Sequence, residues 1–524
     1  YTRSKVRKTL PDTFSYIIQE LMHESEDDEN KTAYVHAILR SIIDNGRSDA
    51  FIIAMCTLIQ RLVIDRLHLV GDVYDRGPGA HLILHQISQY HDVDIQWGNH
   101  DLVWMGAAAG SQACVANVLR MCFRYANFKI LEEGYGINLL PLVTFVMDVY
   151  GDDPCTIFKP KGSEAETLTP KQSRLIAQMH KAITIIQFKL EGQLIRRHPE
   201  FGMEDRLVLD RIDYENNTVT LNGETYPLND GHFPTIDPAD PYALTDAEQS
   251  LIDSLTHAFR HSKALRKHIE FLYNDGSLYK LCNGNLLFHG CVPMNADGSF
   301  EEVTSFDGVT RKGRAYMDFC DKTARAAFYE HGQDALDFMY YLWCGRQSPL
   351  FGRERMTTFE RYFVADRKTW TEDKNPYYDL VESYETASFI LREFSLDEKT
   401  GHIINGHVPV RAKIGEHPVQ ARGRYIRIDG GFCRAYHDRT GIAGYTLIYT
   451  SKGLRLVSHS PFEGKKAAVR ENRDILAADD VIFEMMPHRM LVRDTDYGKR
   501  IIERMADLRA LLEAYREGIV SPEN

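Results

Sequence analysis

The sequence predicts an α/β fold, because short apolar segments that end in polar loops recur between helical stretches. Five such segments lie at residues 66–70, 93–97, 286–288, 403–404 and 425–428, and each runs into a loop with glycine and ionisable or amide side chains. Strand ends that carry polar side chains are where α/β folds usually build their sites. We therefore expect a sheet flanked by helices, with the functional site beyond the strand ends.

A chain of 524 residues is too long for one simple core, so several sections are expected. The changes in composition predict an N-terminal helical segment (1–60), the first part of the α/β core (61–151), a mostly helical inserted subdomain (152–280), the second part of the core (281–462) and a charged, helical C-terminal extension (463–524).

The inserted subdomain shows clear helix signals. Thr169, followed by proline, predicts a helix start, and apolar residues at helical spacing continue it to about Arg197. A Thr-x-x-Glu capping box at Thr245 predicts a second helix that stops before Asn274. Between them, alternating residues around an Asn-Gly pair at 218–223 predict a β-hairpin.

Composition excludes several classes of protein. Apolar residues make up 44% and charged residues 26%, an ordinary soluble balance, and the net charge of −12 argues against a nucleic-acid partner but not against a small phosphorylated one. Nine scattered cysteines without a C-x-x-C pair predict free thiols in a reducing cytoplasm. Since no apolar run approaches the roughly 18–20 residues of a membrane span, no membrane partner is expected. Assembly into homo-oligomers stays open.

The most specific signal is the Gly-Asp-Val-Tyr-Asp-Arg-Gly run at residues 71–77. Five fixed residues of this kind would match by accident about once in several million start positions. Gly-Asn-His-Asp follows the next strand at 98–101, and His-Gly and Asn-Gly-His-x-Pro blocks follow at 289–290 and 405–409. In order and context these blocks resemble those of the calcineurin-like metallophosphoesterases, which implies a β-sandwich flanked by helices.

The resemblance implies a two-metal site. Metals about 3.5–4 Å apart acidify the attacking water and clamp the phosphate. Asp72 would bridge the two metals, and the second metal would be completed by the side chains of Asn99, His289 and His407. Such mixed oxygen and nitrogen donors suit Mn²⁺, Fe or Zn²⁺. Taken singly, each of these residues would equally suit a turn or a core contact.

The same resemblance assigns the acid and the phosphate contact. His100 would be the general acid that protonates the leaving oxygen, and Asp75 would orient it. Arg76 would bind phosphate oxygens with its forked guanidinium. A helix cap for Asp75 and a surface ion pair for Arg76 are the structural alternatives.

Runs at residues 1–8, 229–238 and 342–353 resemble the class III fructose-1,6-bisphosphatases of Gram-positive bacteria, and this resemblance covers essentially the whole chain. It implies a Mn²⁺-dependent enzyme that removes the 1-phosphate of fructose 1,6-bisphosphate in gluconeogenesis. Arg346 or Arg353 is then a candidate second phosphate contact, although a surface pair near a helix end explains them nearly as well.

One expected block, Asp-x-His-Gly, is not found. Asp65 and His68 are three apart and would face opposite sides of a strand, whereas Asp230 and His232 have the spacing but lie in the insert. In the class III family this block precedes the point where the chain starts, and the chain starts without Met. We therefore expect an N-terminally truncated fragment that binds about one tight metal ion and hydrolyses fructose 1,6-bisphosphate very slowly, if at all.

Two other functions remain open. One is a phosphoprotein or dinucleoside-polyphosphate phosphatase of the same superfamily, and the other is a catalytically silent phosphosugar-binding module. The gap of about 190 residues between Asn99 and His289 favours a lidded small-molecule pocket over the open groove of a phosphoprotein phosphatase. The retained acid His100 argues against the second.

Overall fold

The computed structural model describes residues 6, 9–23, 29–429, 432–433, 444–459, 464–471 and 476–520. Helices and strands alternate along them, which confirms the α/β class. Glycines 430 and 431, which follow the last of the five predicted strands, lie outside the described residues.

The α-helices account for slightly less than half of the residues that the structure describes. None within the described ranges combines the length and the apolarity needed to cross a membrane. They are α1 Ser15–His23, α2 Glu29–Asp44, α3 Ser48–Val63, α4 Ala80–Ile87, α5 Asn99–Ala109, α6 Gln112–Arg124, α7 Leu140–Val149, α8 Pro170–Arg197, α9 Asp246–His261, α10 Lys263–Asn274, α11 Gly313–Tyr329, α12 Gln333–Cys344, α13 Thr358–Phe363, α14 Tyr377–Leu380, α15 Tyr384–Glu393, α16 Lys465–Glu471 and α17 Asp496–Arg516.

The strands are short, and all five predicted from the sequence are confirmed. They are β1 Leu67–Leu69, β2 Val93–Gln96, β3 Ile212–Asp213, β4 Thr218–Leu221, β5 Glu224–Pro227, β6 Gly276–Ser277, β7 Tyr279–Cys282, β8 Asn285–Phe288, β9 Val303–Thr304, β10 Thr310–Arg311, β11 His402–Asn405, β12 Val419–Gln420, β13 Tyr425–Arg427, β14 Gly444–Thr450, β15 Gly453–His459 and β16 Leu476–Met485.

The chain divides into two compact units. One comprises Tyr1–Leu69 and Ile87–Asp94, and the other comprises Val70–Gln86 and Ile95–Asn524. In the first unit, Phe14, Ile18 and Leu58 are buried against one another, so its helices have a small core of their own. The five sections inferred from composition stay a prediction.

The second unit contains a five-stranded sheet in the order β12-β13-β11-β8-β7. Strand β11 runs parallel to both β8 and β13, with Asn405 opposite Phe288 and Arg427. Parallel strands end at the same edge of a sheet. The residues that follow β8 and β11, including His289 and His407, therefore emerge side by side.

Helix α8 lies in the section predicted to be an insert and begins as predicted. The Thr169 hydroxyl accepts a hydrogen bond from the Gln172 amide, and proline occupies the first turn. Lys181, on the buried face of this helix, is fully enclosed between Asp153 at 2.6 Å and Asp230 at 2.8 Å. Asp230, which has the spacing of a missing metal ligand, thus neutralises a buried ammonium instead.

The predicted hairpin is present as β4 and β5. Asn222 and Gly223 connect the two strands with φ values of 52° and 83°. Positive φ at both central residues is typical of a type I′ turn, whose twist matches that of the strands.

Two expectations require correction. The single helix expected from Thr245 to Asn274 is divided into α9 and α10, because Ser262 adopts an extended backbone and its hydroxyl caps the Leu265 amide. The extension after residue 463 ends in the expected helix α17 but also contains strand β16, which pairs antiparallel with β15. Strand β16 contains a short apolar run within otherwise charged sequence, and it completes a three-stranded sheet in the order β14-β15-β16.

We predict that Lys181→Met lowers the free energy of unfolding by about 3–5 kcal/mol, because it leaves two enclosed carboxylates without a counter-ion. Lys171→Met, an exposed position on the same helix, is the matched control and should change it by less than about 0.5 kcal/mol. Urea denaturation followed by circular dichroism measures both. Equal effects of the two substitutions would show that the buried ion pairs do not stabilise the insert.

Candidate active site

Three of the four predicted metal ligands converge beyond the strand ends. Asp72 lies three residues after β1, His289 directly follows β8, and His407 lies two residues after β11. Their donor atoms all lie within 4.8 Å of one another. His289 Nε2 is 3.1 Å from Asp72 Oδ2 and 3.2 Å from His407 Nδ1. The cluster is compact enough for one cation to contact all three side chains.

Each histidine of the cluster is oriented through its other ring nitrogen. Nδ1 of His289 donates to the Val70 carbonyl at 2.7 Å, and Nε2 of His407 donates to the Phe351 carbonyl at 2.9 Å. These backbone acceptors fix the tautomers, so the remaining nitrogens present lone pairs to the centre of the cluster when they are deprotonated. Hydrogen bonds of this kind are the usual support of metal-binding histidines.

The predicted fourth ligand, Asn99, lies next in sequence to a residue that contacts Asp72. It is the first residue of α5, and the His100 amide beside it donates to Asp72 Oδ1 at 3.0 Å. Its own Oδ1 is buried and has no hydrogen-bond partner among the described residues. Because an unsatisfied buried amide oxygen is costly, a bound cation is a fitting partner for it.

The predicted acid and its orienting carboxylate also lie together. His100 Nε2 is 3.2 Å from Asp75 Oδ1, and the Trp343 ring packs edge-on against the imidazole at a centroid distance of 4.9 Å. Arg76 Nε lies 3.6 Å from the same Asp75 oxygen, and its guanidinium covers the Tyr125 ring. The His100 ring therefore lies between the Asp75 carboxylate and the Trp343 ring.

The two candidate arginines for a second phosphate contact differ. Arg346 pairs with Glu354 at 2.7 Å and its side chain is 56% exposed, which matches the surface-pair alternative. Arg353 donates to the Glu372 carbonyl at 3.1 Å and is close enough for its charge to lower the pKa of His407.

The cluster is strongly coupled electrostatically. Burial opposes ionisation of Asp72, but the charges of His289 and His100 outweigh it and lower its pKa. Burial likewise opposes protonation of His289, yet the charge of Asp72 raises that pKa to about 9. Burial and the charge of His289 lower the pKa of His407 to about 3. At neutral pH one carboxylate, one imidazolium and one neutral imidazole therefore face one another.

The loops approach so closely that two positions require glycine. A Cβ at Gly98 would lie 2.0 Å from Asp72 Oδ1, and one at Gly71 would lie 2.6 Å from the Gln96 carbonyl. Asp72 and His407 themselves have φ values of 58° and 65°. Such left-handed backbone at non-glycine residues costs about 1–3 kcal/mol each and concentrates at functional sites.

Asp101 supports this geometry and was not singled out from the sequence. Its fully buried carboxylate accepts the backbone amides of Asp72 at 2.7 Å, Gly98 at 3.0 Å and Tyr74 at 3.1 Å. The available signal was an acid three residues after a glycine at a strand-to-helix junction, which is the N3 position of a capping box.

Asn405 was missed in the same way. Its amide nitrogen donates to the carbonyls of His289 and Gly290, both at 2.8 Å, and its oxygen accepts the Tyr425 hydroxyl at 3.0 Å. A fully buried amide at the end of β11 thus ties β8 to β13. The signal was an asparagine at the end of an otherwise apolar strand.

The carboxylate and the two imidazoles could hold a cation, and the neighbouring histidine–carboxylate pair could move a proton, which together suit the hydrolysis of a phosphoester. The chain matches the family described as Firmicute fructose-1,6-bisphosphatase over residues 1–517. It belongs to that family, and the family and the phosphatase class predicted from the sequence are confirmed.

The curated relatives agree. The chain is 54% identical over 529 residues to the class 3 fructose-1,6-bisphosphatase of Clostridium novyi (strain NT), with 100% of this chain and 79% of the relative covered. It is 53% identical over 526 residues to the enzyme of the same name from Bacteroides fragilis (strain YCH46), with 99% and 79% covered. No solved structure matches the chain.

We predict that Gly98→Ala weakens Mn²⁺ binding by about 10- to 100-fold, because the added methyl group would displace the Asp72 carboxylate. Gly79→Ala is the control, since nothing lies within 4 Å of the position its Cβ would take. Isothermal titration calorimetry measures the affinity, and circular dichroism checks the fold. Unchanged binding by Gly98→Ala would show that Asp72 is not a ligand.

Proposed function

We propose that this chain removes the 1-phosphate of fructose 1,6-bisphosphate with the help of divalent metal, Mn²⁺ being the first candidate. Asp72, Asn99, His289 and His407 would hold one ion, and Asp72 would be shared with a second. The convergence of three donors within 4.8 Å carries this proposal. The strand-end positions of the ligands favour the calcineurin-like metallophosphoesterase sandwich as the architecture.

The donor set fits such an ion. It combines carboxylate and amide oxygens with imidazole nitrogens, which suits Mn²⁺, Fe or Zn²⁺ better than Ca²⁺. When bound, the metal lowers the pKa of the attacking water and neutralises charge on the phosphate.

The chain's own residues supply the remaining chemistry. His100 donates a proton to the leaving sugar oxygen, so that the alcohol departs without negative charge. Asp75, 3.2 Å from His100, keeps the ring oriented. Arg76 binds phosphoryl oxygens through its fork of N–H groups. The products are phosphate and fructose 6-phosphate, as gluconeogenesis requires.

A substrate panel with Mn²⁺ separates this proposal from the alternatives. Hydrolysis of fructose 1,6-bisphosphate in preference to a phosphopeptide and a dinucleoside polyphosphate supports it. Preference for either of the latter overturns it. Binding of the bisphosphate without turnover of any substrate would identify a silent phosphosugar-binding module.

His100→Ala should lower kcat by about 10²- to 10⁴-fold while Mn²⁺ affinity stays within about twofold, because it removes the proton donor and no proposed ligand. His232→Ala is the control: it alters the exposed histidine of the Asp-x-His pair in the insert and should leave kcat unchanged. Steady-state kinetics at saturating Mn²⁺ measure both. Normal turnover by His100→Ala would remove this residue from the mechanism.

Mn²⁺ affinity should rise with pH. With a pKa of about 9, His289 is protonated in the metal-free protein at neutral pH, so the ion must displace that proton in order to bind. The apparent association constant should therefore increase about tenfold per pH unit between pH 7 and 8.5 and level off above about 9. Calorimetry in buffers of different ionisation enthalpy counts the protons released. His289→Gln should bind more weakly and lose this slope, and a pH-independent wild-type affinity would contradict the assignment.

A further inference from the structure

A group of basic side chains beside the metal ligands has no part in the mechanism above. This basic cluster comprises Arg353, Lys374, Arg411 and Arg427. Arg353 and Lys374 face each other across an antiparallel backbone bridge. Backbone hydrogen bonds continue on both sides of the bridge. The Glu354 amide donates to the Asp373 carbonyl at 2.8 Å, and the Asn375 amide donates to the Gly352 carbonyl. Two of the four cations are thus fixed next to each other by the main chain.

The basic cluster adjoins His407. Arg353 lies two residues after Phe351, whose carbonyl accepts from His407 Nε2 at 2.9 Å. The Lys374 ammonium lies 5.9 Å from the centroid of the Tyr378 ring, which in turn stacks on the His407 ring at 6.3 Å. Two successive contacts therefore connect the ammonium to a proposed metal ligand.

Arg427, in β13, and Arg411, in the loop after β11, are close enough for their charges to act on Lys374. Arg427 is the last residue of β13 and is 3% exposed. It is paired with Asn405 of β11, and Asn405 lies two residues before His407. It pairs with Glu416 at 2.6 Å, and the same carboxylate serves Arg411 at 3.5 Å. Arg427 Nε is nevertheless buried without a hydrogen-bond partner among the described residues.

The basic cluster has too few carboxylates for its cations. Glu416 serves two arginines, whereas neither Arg353 nor Lys374 has a carboxylate within ion-pair distance in the described part of the chain. Burial and then the charges of Arg353, Arg427 and Arg411 lower the pKa of Lys374, and Asp379 only partly offsets them. Cations gathered at this density repel one another unless an anion joins them.

The substrate of the proposed function carries a second phosphate that is not hydrolysed. We propose that Lys374, together with Arg353 and Arg427, binds this non-reacting phosphate and so selects bisphosphorylated over monophosphorylated sugars. Arginine forks and a lysine point charge are the usual ligands of a phosphate dianion. Contacts to a remote group supply binding energy that holds the reacting phosphate in position. The inference rests on the proposed function, since it takes the reacting phosphate to lie at the metal cluster.

The test compares Lys374→Gln with wild type for two ligands that differ only in the remote phosphate. Calorimetry with Mn²⁺ present, in a His100→Ala background that suppresses turnover, should show about 10- to 100-fold weaker binding of fructose 1,6-bisphosphate and unchanged binding of fructose 1-phosphate. Lys374→Arg should retain most of the affinity. Lys368→Gln, an exposed lysine six residues away, should alter neither ligand. In kinetics, Lys374→Gln should raise KM for the bisphosphate more than it lowers kcat.

Two results would overturn the inference. An equal loss for both sugars would mean that Lys374 acts on the reacting phosphate or on the fold, and no loss for either would exclude it from the site. Since binding is measured without turnover, failure of the proposed function is seen separately. A Lys374-dependent preference for the bisphosphate in a chain that does not hydrolyse it would leave this inference standing and overturn the reaction.

Discussion

The candidate site depends on one buried carboxylate. Asp101 accepts three backbone amides, from Asp72, Tyr74 and Gly98, and these amides belong to two different strand-end loops. Charge-assisted hydrogen bonds of this kind are roughly twice as strong as neutral ones. They offset the cost of the left-handed backbone that Asp72 adopts. Together with the His100 amide, which donates to Asp72 Oδ1, they hold the Asp72 loop against the start of α5.

Asp101 is itself in balance between opposing effects. Burial and the charge of Asp72 raise its pKa to about 6, while the amides of Gly98 and Tyr74 lower it. His289 is subject to opposing effects as well: burial lowers its pKa, but the charge of Asp72 raises it, so the imidazole keeps its proton. A cation bound between these side chains, as we propose, would replace that proton and relieve the repulsion between Asp72 and Asp101. The polar core of the site is therefore built for a positive charge, and an imidazolium takes that role in the metal-free protein.

The sequence predicted the parts of this arrangement that depend on local signals. The five strands, the helix start at Thr169 and the Asn222-Gly223 turn follow from capping, turn chemistry and alternation. The proximity of His289 and His407 also followed, because they come after β8 and β11, which are parallel neighbours that end at the same edge of the sheet.

What could not be predicted depends on partners distant in sequence. The break at Ser262 requires a hydroxyl that caps the next helix and also donates to the Tyr135 carbonyl, and a capping box upstream carries no sign of it. The role of Asp230 depends on a lysine 49 residues away. For Arg346 and Arg353 the choice between a surface pair and a phosphate contact depends on which carboxylates lie nearby, and spacing alone says nothing of that.

The arrangement of charge around His407 connects the proposed reaction to its specificity. On one side of this histidine lie Asp72 and His289, which can hold a metal, and through Tyr378 and Phe351 it adjoins the basic cluster. The sheet makes this adjacency unavoidable, because Asn405 and Arg427 are paired neighbours on parallel strands that end at the same edge. A metal-bound phosphate and a second anionic group of the same molecule would thus be held at the ends of two neighbouring strands, β11 and β13. The two binding energies are then coupled through a rigid backbone, so contacts to the remote phosphate can position the reacting one.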